Sequence, residues 1–123
     1  MWVWLFWGLV ACGPGASVPD GPGAAVSADP ILAAMAARPL VETRHGACRM
    51  ACRHLDREEV EQMLVRGHIN PERTRHDGTC PSYAVEGTTR DGQHARIVFA
   101  ACDDVTKVVT AIDLDRDWPC ECP

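Results

Sequence analysis

Cys48, Cys52, Cys80, Cys102, Cys120 and Cys122 all fall within one stretch of this 123-residue chain, and they constrain its fold more than any other feature. The segment that can pack, positions 38–123, is roughly 85 residues long, a size that usually needs cross-links or a metal to stay folded. An even number of cysteines in so small a domain predicts a disulfide framework, provided the compartment oxidises thiols. Six cysteines allow about fifteen pairings, and geometry narrows them. Cys48 and Cys52 are four apart in a helical segment and share a face. Cys120 and Cys122 are two apart in an extended one and also share a face. Both separations are roughly 6 Å, so the pair 48/52 can be stapled twice to the pair 120/122, in either order. A hairpin centred on Asp91-Gly92 sets Cys80 almost opposite Cys102, the third expected bond. The alternative is a tetrahedral zinc site of Cys48, Cys52, Cys120 and Cys122, although C-x3-C and C-x-C are not the usual zinc spacings. No cofactor is expected otherwise.

The same stretch divides into helices followed by strands. Asp29-Pro30 ahead of ILAAMAA predicts a short helix, with Asp29 as cap and Pro30 at the first helical position, ended by Pro39. Thr43–His54 reads as a second helix with Ala47, Cys48, Ala51, Cys52 and Leu55 at helical spacing. Asp56 and Glu59 form a capping-box pattern before the apolar stripe Val60, Met63 and Leu64, and Gly67 suits that helix's end. Beyond Pro71 the period becomes two. Ser82–Thr89 and His94–Cys102 flank a two-residue Asp91-Gly92 turn, and Lys107–Leu114 is a third strand after Asp103-Asp104. The expected architecture is α+β: two or three N-terminal helices packed on a three- to four-stranded antiparallel meander sheet, stapled by disulfides.

Ahead of the domain, residues 2–11 (WVWLFWGLVA) form an apolar run about half the ~20 residues needed to span a bilayer. Such a run reads as a signal-peptide core. It ends in Leu9-Val10-Ala11-Cys12, which resembles a bacterial lipobox. That resemblance implies cleavage before Cys12 and acylation of its thiol, although no Lys or Arg precedes the run. Residues 1–11 are then a lipoprotein signal peptide, and 12–37 are the lipidated cysteine with a Gly/Pro/Ala tether, too poor in apolar surface to pack. Gly13 after Cys12 favours the outer membrane by analogy with other lipoproteins.

Charge limits the partners. All 12 basic residues and 15 of the 17 acidic ones lie at or after Arg38, which leaves the domain with a formal net charge of −3. Nucleic-acid binders are usually strongly basic, so nucleic acid is not an expected partner. The distribution is uneven, with five Arg against two acids between Arg38 and Arg57.

His45, Arg49 and Arg53 recur at i, i+4 and i+8 of the second helix and share a face, where a His and two Arg suit acid–base work and phosphate clamping. His94, Arg96 and Tyr83 are candidates to join them from the sheet, with Tyr83 and Arg96 on opposite faces by alternation. The plainer reading packs His45 beside the cysteines and leaves the Arg residues on a solvated face.

Laid together, Arg44-His45-Gly46-Ala47-Cys48-Arg49-Met50, Tyr83-Ala84-Val85-Glu86-Gly87, Asp91 to Ala100, Val108 to Leu114 and Trp118-Pro119-Cys120-Glu121-Cys122 show a recognisable order. This order resembles the bacterial domain of unknown function 4258 in a cysteine-rich form, over residues 44–122. Its helix-then-sheet order is in turn similar to RelE-like toxins, an analogy of fold alone. The expectation is a bacterial envelope lipoprotein, outer-membrane-anchored through Cys12, carrying a non-catalytic binding or structural module. The alternative is a RelE-like, metal-independent ribonuclease using His45, Arg49 and Arg53.

Overall fold

The computed structural model describes residues 26–122; the signal-peptide core, the lipobox with Cys12 and most of the tether lie outside the described residues. Three helices, α1 (Pro30–Ala36), α2 (Arg44–Cys52) and α3 (Arg57–Arg66), pack on one face of a five-stranded sheet. The strands are β1 (Leu40–Glu42), β2 (His68–Arg75), β3 (Ser82–Thr88), β4 (His94–Cys102) and β5 (Val105–Asp113), in the spatial order β1-β5-β4-β3-β2.

Local chemistry explains the helix starts. The Asp29 carboxylate accepts from Ile31 N with Pro30 in the first turn, and Thr43 Oγ1 accepts from Gly46 N. At α3 both halves of the capping box form, Asp56 with Glu59 N and Glu59 with Asp56 N. Gly67 ends α3 with φ −79°, outside the left-handed region expected of a glycine cap. Its role is steric: a Cβ there would lie 2.6 Å from Met63 O and 2.7 Å from Val85 Cγ1.

The sheet departs from the expected meander in two strands. β1 runs parallel to β5, pairing Leu40 with Thr106 and Glu42 with Val108, so the sheet is mixed rather than antiparallel throughout. Three residues after a proline are too few for an alternation to show, and the partner lies about 65 residues away. β2 contains Pro71, which a strand with a free outer edge tolerates, and its pairing with β3 breaks between Asn70 and Arg75. The β3–β4 connection also differs from expectation. Thr89 N bonds Gln93 O, Gly92 N bonds Thr89 O and Gly92 has φ 85°, so the loop is the three residues Arg90–Gly92 with glycine in the left-handed position.

One face of β3, β4 and β5 carries Val85, Ala95, Ile97, Phe99, Val108 and Ala111 against Leu32, Met35, Met50, Leu55, Val60, Met63 and Leu64 from the helical layer. Phe99, Leu32 and Met35 are its largest fully buried members, so α1 belongs to the packed domain, which begins ahead of the expected boundary at 38. Thr106, in the same layer, donates its hydroxyl to Met35 O at 2.9 Å and ties α1 to the sheet. The opposite face carries Glu86 of β3 beside Arg96 of β4. Among the described residues no helix is long and apolar enough to cross a membrane.

Three disulfides close the domain: Cys48–Cys122, Cys52–Cys120 and Cys80–Cys102, with Cα separations of 5.8, 5.8 and 5.1 Å. Of the two orders open in the sequence, the tail adopts the one that runs it antiparallel to α2, Cys120 reaching the later helical cysteine. The four cysteines weighed as a zinc set are therefore oxidised in pairs, which leaves that alternative without a thiolate. Among the described residues no cluster of three or more His, Cys, Asp or Glu side chains is placed to hold a metal ion.

Candidate functional site

α2 meets β5 along a seam set by two residues. Thr43 caps the helix and also donates through Oγ1 to Val108 O at 2.8 Å, while its backbone N–H bonds the same oxygen. Gly46, one helical turn on, lies flush against that strand. The seam fixes which way the rest of α2 faces. Gly46 and Met50 go inward, Cys48 and Cys52 go toward the tail, and the row His45, Arg49, Arg53 occupies a half-buried strip between them.

Within the row, Arg49 Nε donates to His45 Nε2 at 3.3 Å. With Nε2 accepting, the hydrogen of a neutral imidazole sits on Nδ1. Arg53 donates through Nη1 to Ala111 O of β5. Its guanidinium is held below the ordinary arginine value, first by burial and then by the like charge of Arg49, against the opposing pull of Asp117 and Asp113. Two guanidiniums that repel one another gain from a bound anion, so the strip suits a carboxylate or phosphate group chemically. It holds a candidate acid or base and two clamps.

The far end of the strip is closed by a network that the sequence did not suggest. Asp113 Oδ2 accepts from Gln93 Nε2 at 3.0 Å and from Trp118 Nε1 at 2.9 Å, and Oδ1 accepts from the backbone N–H groups of Asp115 and Arg116. Burial raises the Asp113 carboxyl pKa and is the largest single influence, but these four bonds together outweigh it and the group titrates below the usual range. Gln93 also donates to Arg53 O at the end of α2. The Trp118 indole lies between His54, at 4.9 Å between ring centres, and the Arg116 guanidinium, 3.9 Å above the ring. His54 takes a left-handed backbone, φ 56°.

The sheet candidates do not join the row. Tyr83 packs against the helix-covered core and meets His76 edge-on at 5.7 Å. Arg96 lies on the opposite face, where its Nε donates to Glu86 Oε2 at 2.8 Å, both side chains about 15% exposed. Asn70 Nδ2 donates to the same oxygen at 2.8 Å. Those two bonds hold the Glu86 carboxyl below its ordinary range, Asn70 contributing most. His94 shares that face and approaches Asp115 at 3.7 Å. The sheet therefore separates Arg96 and His94 from His45. The Glu86–Arg96 pair was not readable from the expected two-residue turn, which would set Glu86 across from Ile97; the three-residue loop Arg90–Gly92 brings Arg96 opposite it.

A family model described as Domain of unknown function (DUF4258) matches residues 43–113. Those limits run from the Thr43 cap to Asp113 at the end of β5, and leave α1, β1 and the stapled tail outside the match. No curated protein and no solved structure matches the chain. On the strength of the family match, which spans more than half of its length, the chain belongs to the DUF4258 family of domains of unknown function.

Proposed function

We propose that this DUF4258 domain is a non-catalytic binding or structural module of a bacterial envelope lipoprotein, held at the outer membrane by lipid on Cys12. The observation that carries the reading is the pairing of every described cysteine in a disulfide, two of them stapling the tail to α2. Bonds of this kind persist in oxidising, extracytoplasmic compartments and are rare in the cytosol. Cys12 supplies the anchor on the evidence of Leu9-Val10-Ala11-Cys12, and the residues between it and the domain have the composition of a spacer. The −3 charge of the domain argues against a nucleic-acid partner. Labelled palmitate should enter the full chain and be lost on Cys12→Ala; absence of label from the wild-type chain refutes the anchor. A thiol count on denatured, unreduced protein should find the six domain cysteines blocked.

A second reading draws on the contact of Arg49 with His45, one turn from Arg53. In it the row serves a RelE-like ribonuclease, with His45 as acid or base and the two arginines on phosphate. The purified oxidised protein then cleaves RNA without added metal and His45→Ala abolishes the cleavage. An inert protein ends this reading.

A further inference from the structure

Arg49 and Arg53 are each anchored by one bond that leaves part of the guanidinium unused. Arg49 gives Nε to His45 and keeps its two terminal nitrogens, Nη1 and Nη2. Arg53 gives Nη1 to Ala111 O and keeps the edge formed by Nε and Nη2. Each remainder is a two-donor fork of the kind that takes two oxygens of an oxyanion at once. The forks stand one helical turn apart on α2, about 5–6 Å between Cβ atoms, on the half-buried strip beside β5.

Among the described residues neither arginine makes an ion pair, whereas Arg96 on the opposite face of the sheet has Glu86 2.8 Å away. Asp117 and Asp113 act on Arg53 only through space. Both Asp113 oxygens are already taken by Gln93, Trp118 and two backbone N–H groups. The neighbouring chain adds no compensation: residues 38–57 hold five Arg against two acids, and those two, Glu42 and Asp56, pair with Arg57 and Arg90. The oxygen count and charge of an anion then decide which kind fits. A carboxylate, with two oxygens and a single charge, fills one fork. A phosphomonoester has three terminal oxygens and about two negative charges near neutral pH, enough to meet both forks and offset both guanidiniums. A phosphodiester, with two free oxygens and a single charge, is in the position of the carboxylate.

We propose that Arg49 and Arg53 together bind the dianionic head of a phosphomonoester. This rests on the reading of the domain as a non-catalytic binding module and names its ligand class; the ribonuclease reading requires a diester. The test titrates the ¹⁵N-labelled, oxidised full chain with phenyl phosphate at about pH 8, where the ester is a dianion, and with acetate and dimethyl phosphate at matched ionic strength. Saturable amide shifts are expected at Arg49, Arg53 and Ala111 with phenyl phosphate, and binding of the two monoanions about tenfold weaker or more. Arg49→Gln and Arg53→Gln should each weaken phenyl phosphate binding about tenfold or more through the lost charge-assisted bonds. Arg49→Lys keeps the charge but not the fork, and should not restore wild-type affinity. Asp117→Asn removes an opposing charge at an exposed tail position and should strengthen binding; this arm stands even if the arginine variants unfold. The proposal is overturned by the absence of a saturable shift or by an equal response to acetate or dimethyl phosphate. Unchanged binding in folded Arg49→Gln, or unchanged or weaker binding in Asp117→Asn, overturns it equally. Failure of this kind leaves the palmitate label and the thiol count as they stand. Phenyl phosphate that is bound and cleaved, read as released phenol, supports the site and ends the non-catalytic reading instead.

Discussion

Gly46 of α2 lies so close to Val108 of β5 that a Cβ on the glycine would sit 2.2 Å from the Val108 carbonyl oxygen. This approach lets the Thr43 hydroxyl and N–H both reach that oxygen, and it sets the helix against the strand along the whole seam.

Gly46→Ala should therefore act through the backbone rather than through helix propensity, which favours alanine. The new methyl meets a carbonyl that is itself held by the Thr43 N–H and hydroxyl. A loss of about 3 kcal/mol is expected, at the upper end of overpacking effects. Urea unfolding of the oxidised protein, with the midpoint compared at constant m-value, measures it.

The two staples on the tail should be far from additive. Cys48–Cys122 and Cys52–Cys120 close loops with sequence separations of 74 and 68 when each acts alone. With one in place, the other closes a ring of only a few residues. Removing either pair by double Cys→Ala substitution should cost about 2 to 3 kcal/mol, and removing both about 7 kcal/mol, in the loop-entropy account. Equal, additive losses would show that the tail is held by contacts other than sulfur.

Glu86 predicts part of the acid response. Its carboxyl titrates below the ordinary value in the fold, because Asn70 and Arg96 bond the ionised form. A depressed folded pKa gives stability that is present above the unfolded value, near 4.5, and is lost as pH falls through the folded value. Glu86→Gln lacks that contribution at every pH, so its urea midpoint should fall less than the wild type's between pH 7 and pH 3. Asn70→Ala, which removes the largest cause, should bring the Glu86 pKa back toward the ordinary carboxylate range by NMR titration.

Trp118 offers a probe of the tail. Of the four tryptophans in the chain it is the one among the described residues, the others being Trp2, Trp4 and Trp7. Protein cleaved before Cys12 would thus fluoresce from Trp118 alone. Reduction of the disulfides should release the tail, separate the indole from His54 and Asp113, and shift the emission to the red. Trp118→Phe should raise the Asp113 pKa through the lost indole bond.

The short-range features of this protein were legible in its residues. Asp29-Pro30 and the Asp56/Glu59 box announce two helix starts because a cap is a contact between neighbours in the chain, and each start forms where its cap stands; Thr43, read as the first residue of its helix, proves to be its cap. The alternation of Ala95, Ile97 and Phe99 likewise marks the buried face of β4. The candidate row was legible too, since spacing of four places His45 against Arg49 within one helix.

Other features waited for the fold. β1 is three residues whose partner is distant, so no local pattern could announce its parallel pairing with Thr106 to Val108. The Asp113 node depends on Gln93 and Trp118, which come together only when the sheet closes. The chain by itself settled which residues cap, alternate and cross-link, because those are matters of spacing along a backbone of known geometry. Tertiary structure alone decided which cysteine of each pair bonds which, and which side of the sheet each charge occupies, because these follow from the direction in which the tail crosses α2 and from the register between strands.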